Sequence, residues 1–314
     1  MAATVDVRAT KISLTGNAGR RRKEGAIRGV LFAAAALSIV ISAGIVIAVV
    51  GKSVEFFVHV SKAALWSEAW RPRQGQFDIP TIFIGSVLVT VIAMVVAVPL
   101  GLGAAMFLSE YATPRLRRAL KPILETLAGI PSVVIGFFAL TVINPDIVKD
   151  LMGASSTFTI MAAGLGVGIL TIPLVASVSE DAMYAVPNAL REAAYGIGAR
   201  RRSVTTKVVF PAAISGIVAA VILGIGRALG ETMVVAVAAG ATGNATRTFN
   251  PLVPGQTMTA AIASLAIGSD SVKTASGGVN PFDALYFVAL LLFVLTLSLN
   301  IVSERFVRRV RKVY

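Results

Sequence analysis

Residues 213–240 read AISGIVAAVILGIGRALGETMVVAVAAG, and they decide the fold. The stretch is apolar except for Arg227 and Glu231. About 20 consecutive apolar residues cross the hydrocarbon core of a bilayer. A charge held there costs about 2.5–3.5 kcal/mol on insertion scales. A chain keeps such groups where they pair, face water, or handle a polar solute. This pair is the first candidate for a functional site.

Working outward, five more charge-free runs have the same character. They lie between Arg28 and Lys52, Asp78 and Glu110, Glu125 and Asp146, Asp150 and Glu180, and Asp283 and Glu304. The expected fold is an all-α membrane protein of six transmembrane helices. The composition agrees: 56% of residues are hydrophobic and 14% charged, against about 25% charged in soluble domains. The first run is too long for the apolar core of a typical signal peptide, and no small-residue cleavage site clearly follows it. It is read as a retained helix.

The net charge of +13 does not point to nucleic acid. The basic residues cluster between apolar runs, as in cytoplasmic loops. With the N-terminus inside, 21 Lys and Arg fall on the cytoplasmic side and 7 outside. That bias places both termini in the cytoplasm. The expected organisation is a cytoplasmic tail (1–28), a first helix (29–51), an outer loop (52–80), a transmembrane domain (81–304) and a basic tail (305–314). The loops 52–80 and 241–283 face outside, either as connectors or as docking surfaces. Asn244-Ala245-Thr246 fits a glycosylation triplet, a pattern common by chance.

Catalytic signals are lacking. There is no Cys, and the single His59 has no partner for a metal site. Gly51-Lys52-Ser53 imitates the end of a phosphate-binding loop. That loop needs Gly where Val46 stands, and the tripeptide ends a membrane helix instead of following a strand.

Several runs carry helix breakers. Pro99 lies beside Gly101 and Gly103, Pro131 between Gly129 and Gly136, and Pro173 after Gly164, Gly166 and Gly168. Such breaks either pack helices closely or free backbone groups to line a path. Ser132, after Pro131, could offer its hydroxyl to such a path. Gly226 and Gly230 flank Arg227, for close helix contact or to leave room for an anion.

Residues 180–211 are long for a connection. Pro187-Asn188 starts a helix, Ala189–Tyr195 continues it, and Gly196 and Gly198 permit a sharp turn. Ser203 is expected to cap a second short helix reaching Phe210. Pro211 marks entry to the fifth span. The product is a helix–turn–helix elbow on the cytoplasmic side.

Glu192-Ala193-Ala194, with Gly198 and Pro211 downstream, resembles the EAA loop of ABC importer permeases. Val208 and Phe210 stand where that family has Ile and Leu. The run Gly226-Arg227-Ala228-Leu229-Gly230-Glu231-Thr232-Met233 is similar to a signature of the phosphate-specific (Pst) importer permeases, as is Leu127–Val134. Tyr195–Gly198 and Met233 lean toward the C-type subunit rather than the A-type. The resemblance covers about residues 80–305.

It implies a type I ABC importer permease fold in a bacterial or archaeal cytoplasmic membrane, among membrane lipid. It implies that Glu192, Ala193, Ala194, Gly198 and Pro211 form the contact with an ATPase. The implied partners are a homologous A-type permease, two copies of a cytosolic ATPase and an extracytoplasmic phosphate-binding protein. The chain itself binds no cofactor; ATP and Mg belong to the ATPase. Arg227, Glu231, Thr232 and Ser132 are the expected substrate pathway. Glu231, four residues after Arg227, shares its helix face. It is expected to pair with Arg227 at rest and release it to phosphate in transit. A pair that only holds a subunit interface is the other reading. Another oxyanion such as sulfate or molybdate, or an ion-gradient carrier, remains the alternative function.

Overall fold

The computed structural model describes residues 18–240, 245–267 and 280–310. Asn244 of the glycosylation triplet, residues 1–17 of the N-terminal tail and residues 311–314 of the C-terminal tail lie outside them. The chain divides into two units, residues 1–51 and 52–314. The described part of the first is a stretch of the helix Ala18–His59, and its apolar window buries no residue.

In the second unit, four helical runs are long and apolar enough to be spans or parts of spans: Ile79–Tyr111, Ser132–Lys149, Ile160–Tyr184 and Asp283–Arg305. A further pair, Arg201–Ala212 and Ile214–Gly230, is bent by 72° at Ala213. With the first helix, these make the six expected spans, the fifth beginning after the bend.

The second and fourth spans form the centre. Asp78 caps the second span by accepting from the Thr81 amide at 3.1 Å. Thr159 caps the fourth, accepting from Ala162 at 3.1 Å and donating to Asn144 at 2.7 Å. The two helices approach closely because glycines line their contact. A Cβ on Gly164 would stand 2.7 Å from Ile92, and one on Gly101 would stand 2.9 Å from Val175. These glycines therefore serve packing. Val89, Ala93, Ile135, Ala139, Val167, Ala228 and Val234 fill the surrounding apolar core.

Two expectations change here. The third span begins at Ser132, not after Glu125. Residues Pro114–Leu127 form a separate amphipathic helix with no buried residue, ended by the turn before Pro131. The segment 241–283 is also more than an outer loop. Residues 255–261 and 264–265 are buried, and the short helix Met258–Ile267 packs among the spans. Its backbone is held by distant partners. Met258 N–H donates to Ser86 Oγ at 2.9 Å, and the Ile160 and Gly255 amides donate to Val253 and Ala239 carbonyls at 3.1 and 3.2 Å. That satisfaction is what buried irregular backbone requires.

The end opposite the elbow carries a three-stranded antiparallel sheet. Strand β1 (Ala69–Arg71) lies between β2 (Gln76–Phe77) and β3 (Ala245–Thr246). Trp70 and Phe77 face an apolar cluster with Phe56, Met258 and Val288.

Candidate functional site

The fifth span is broken where its charges lie. Helix Ile214–Gly230 ends at Gly230, and Glu231 is extended (φ −71°, ψ 125°). Residues 233–240 form a second, shorter segment, a single α turn followed by wider turns. Glu231 is therefore not one turn beyond Arg227 on a shared face, and no ion pair joins them. The continuous-helix expectation fails because Glu231 carries out two other tasks. Its carboxylate accepts from the Val234 amide at 3.4 Å, at the start of the next segment. Its carbonyl accepts from Thr259 Oγ at 2.9 Å, which ties the break to the inserted helix.

Arg227 is half-buried in the last turn before the break. Its Nε is sealed from solvent and has no acceptor. A Cβ on Gly226 or on Gly230 would meet nothing within 4 Å. The G-x-x-x-G therefore makes no close helix contact among the described residues; it leaves open space at the two glycines that flank Arg227. A planar donor fork with an unfilled donor and room beside it suits an oxyanion.

Other expected pathway residues sit differently. Thr232 Oγ donates to the Gly230 carbonyl at 3.3 Å, within the break. Ser132 opens the third span and bonds to none of Arg227, Glu231 and Thr232 among the described residues. Gly136, one turn on, seats that span against the segment after the break: its Cβ would lie 3.2 Å from Val234 Cα. Thr257 and Thr259, 3.0 Å apart, are the hydroxyls the structure brings here instead. Sequence reading missed them because their segment has the composition of a loop.

The elbow is the second site. Its first helix runs Asn188–Gly196. It closes with Ala199 N–H donating to Ala194 O at 3.1 Å and Gly198 N–H to Tyr195 O at 2.9 Å. Gly198 has φ +81°, the left-handed position this helix ending demands. Glu192 and Ala193 are exposed, whereas Ala194 is buried against Val186, Val204 and Val209. Tyr195 and Ile197 are exposed beside them, Ile197 at 87%. The second helix, Arg201–Ala212, has Arg200 at its N-cap, so Ser203 lies inside it and does not cap it. Pro211 is exposed in its last turn, two residues before the 72° bend.

Charges clamp this elbow to the bundle. Glu110, at the end of the second span, accepts from Arg191 Nη2 at 2.9 Å. Arg191 also donates to the Met183 and Val186 carbonyls, at 2.8 and 2.5 Å. Arg201 donates to the Glu110 carbonyl and lies 4.9 Å from the Tyr111 ring centroid. On the amphipathic helix, Arg117 and Lys121 both bind the fully buried Glu180. Burial pulls the Lys121 ammonium down, but its bonds to Asp181 and Glu180 outweigh this and raise its pKa. In the sequence, Glu110 and Glu180 were legible only as ends of charge-free runs.

A polytopic helical membrane protein with a broken, Arg-bearing span and a protruding, firmly clamped elbow has the architecture of a transport permease. The chain belongs to the binding-protein-dependent transport system inner membrane component family, which matches residues 97–312. It is 33% identical over 297 residues to the phosphate transport system permease protein PstC of Mesorhizobium japonicum, covering 88% of each chain. It is 33% identical to the protein of that name from Pasteurella multocida, over 79% of this chain and 80% of that one. Among solved structures, a bacterial alginate ABC transporter with an alginate-bound periplasmic protein matches with a TM-score of 0.64 at 15% identity. That match covers 92% of this chain and 98% of the other, and it shows the shared fold.

Proposed function

We propose that this chain is the permease subunit of an ATP-driven importer that carries inorganic phosphate across the cytoplasmic membrane of a bacterium or archaeon. The carrying observation is the broken fifth span, with an unsatisfied Arg227 Nε and open space at the glycines on either side of that residue. The similarity to phosphate permeases along most of the chain supports phosphate as the oxyanion.

In this reading the sheet end faces outside and receives phosphate from a binding protein. The elbow faces the cytoplasm. The exposed Glu192, Ala193 and Ile197 meet one ATPase subunit, while the buried Ala194 holds the elbow's shape. A second, homologous permease and a second ATPase complete the assembly. ATP and Mg are bound by the ATPases. Motion of the elbow passes through the Arg201–Ala212 helix and the bend at Ala213 into the helix that carries Arg227.

Arg227 receives a phosphate oxygen during transit. Glu231 holds the next segment in place through Val234, so its release from that amide would free a carboxylate to compete for Arg227. The test is ATP-dependent phosphate uptake by the complex in proteoliposomes. Uptake that depends on ATP and falls sharply in Arg227→Gln, with assembly intact, supports the reading. Uptake indifferent to ATP, or unchanged in that variant, overturns it.

A further inference from the structure

The outer sheet has a polar cavity that the broken span does not use. It measures about 530 Å³ and is lined by Glu68, Ala69, Arg71, Gln76, Thr246 and Arg247. Its floor follows from strand alternation. Trp70 and Phe77 point into the apolar cluster, so Ala69, Arg71, Gln76 and Thr246 point the other way.

Arg71 and Gln76 are directly paired across β1 and β2, which sets their Cβ atoms about 5 Å apart on one face. Each carries a sealed polar atom with no partner: Arg71 Nε, a donor, and Gln76 Oε1, an acceptor. A buried donor or acceptor left without a partner is costly, so two on facing residues in one cavity call for a shared ligand. Arg247, on the cavity wall, is already committed. Its Nη2 donates to Asp78 at 2.5 Å and to Ser67 O at 3.3 Å. Arg71 is the cation left for a ligand.

We propose that this cavity binds an oxyanion that retains a hydroxyl, namely hydrogen phosphate. An anionic oxygen accepts from Arg71 Nε, and the phosphate hydroxyl donates to Gln76 Oε1. Sulfate at neutral pH has no proton to give and so cannot make the bond to Gln76 Oε1. The site is separate from Arg227 and its existence does not rest on the transport reading.

The experiment is equilibrium binding of radiolabelled inorganic phosphate to the purified permease–ATPase complex, without binding protein, in an Arg227→Gln background. That background removes the span site. Phosphate should still bind, sulfate at least tenfold more weakly. Adding Arg71→Gln or Gln76→Leu should weaken phosphate binding at least tenfold. No binding in the Arg227→Gln complex, equal binding of sulfate, or no effect of either added change overturns the proposal. Should a variant fail to assemble, phenylglyoxal labelling of the unaltered Arg71 decides: phosphate should protect it and equimolar sulfate should not. Equal protection or none overturns the assignment. Uptake is measured separately, so loss of this site and failure of the transport reading give different results.

Discussion

Arg191 of the elbow donates to Glu110 of the second span at 2.9 Å, across 81 residues of sequence. The Glu110 side chain is 4% exposed and that of Arg191 14%. Breaking a buried ion pair by removing one partner costs about 3–5 kcal/mol, because the other charge is left behind. Glu110→Ala and Arg191→Ala should each lower the thermal midpoint of the complex and reduce uptake. The double variant should lose less than the two single losses combined. Additive losses in a thermal-shift double-mutant cycle would show that the pair does not connect the elbow to the span.

Gly198 gives a sharper test of the elbow's shape. Its φ of +81° is unfavourable for any residue with a Cβ, yet a Cβ there would meet nothing within 4 Å. Gly198→Ala therefore isolates backbone strain, about 1 kcal/mol, without a clash. The permease should still assemble in the membrane while ATPase co-purification and uptake fall. Ile197→Ser, which removes only an exposed apolar side chain, should weaken ATPase capture with little change in permease stability. Normal capture in both variants would place the ATPase contact elsewhere.

The elbow and the spans were legible in the sequence because their signals are local. Charge-free runs mark spans, and Pro187 with Gly198 marks the elbow's start and turn. The break at Glu231 was not legible. No proline marks it, and the residues that stabilise it, Val234 and Thr259, act through a carboxylate–amide bond and a hydroxyl 28 residues away. The inserted segment 251–267 was missed for the same reason. Its Gly, Pro and Thr content is that of a loop, and Ser86, Ala239 and the start of the fourth span, all distant in sequence, bond to its buried backbone. Ser203 was misread because an N-cap requires a non-helical backbone, and Arg200 takes that position (φ −71°, ψ 150°).

Gly85 tests whether the inserted segment is built into the bundle. A Cβ there would stand 2.3 Å from the Gln256 carbonyl oxygen, which is backbone and cannot swing aside. Gly85→Ala should displace residues 256–258, weaken the Met258–Ser86 bond, and destabilise the fold by about 1–3 kcal/mol. Gly103→Ala, in the same span with nothing within 4 Å, serves as the control and should be neutral or slightly stabilising. Hydrogen exchange of the Met258–Ile267 amides reads the difference: faster exchange in the first variant alone is the expected outcome. Equal exchange would mean the segment tolerates displacement and does not brace the break.

Arg227 and Glu231 separate under substitution because the structure gives them different partners. Arg227→Gln removes the uncommitted donor fork and should reduce phosphate uptake at least tenfold while leaving assembly intact. Arg227→Lys keeps the charge but loses bidentate geometry, and should recover only part of the rate. Glu231→Gln keeps an oxygen that can accept from Val234, so the second segment should remain folded. If the carboxylate competes with phosphate for Arg227 when the path rearranges, this variant should bind phosphate more tightly and release it more slowly, lowering turnover with little loss of stability. If Glu231 only caps the second segment, Glu231→Gln should transport normally, and Glu231→Ala should lose stability and activity together. Single-turnover uptake beside thermal stability distinguishes the two roles.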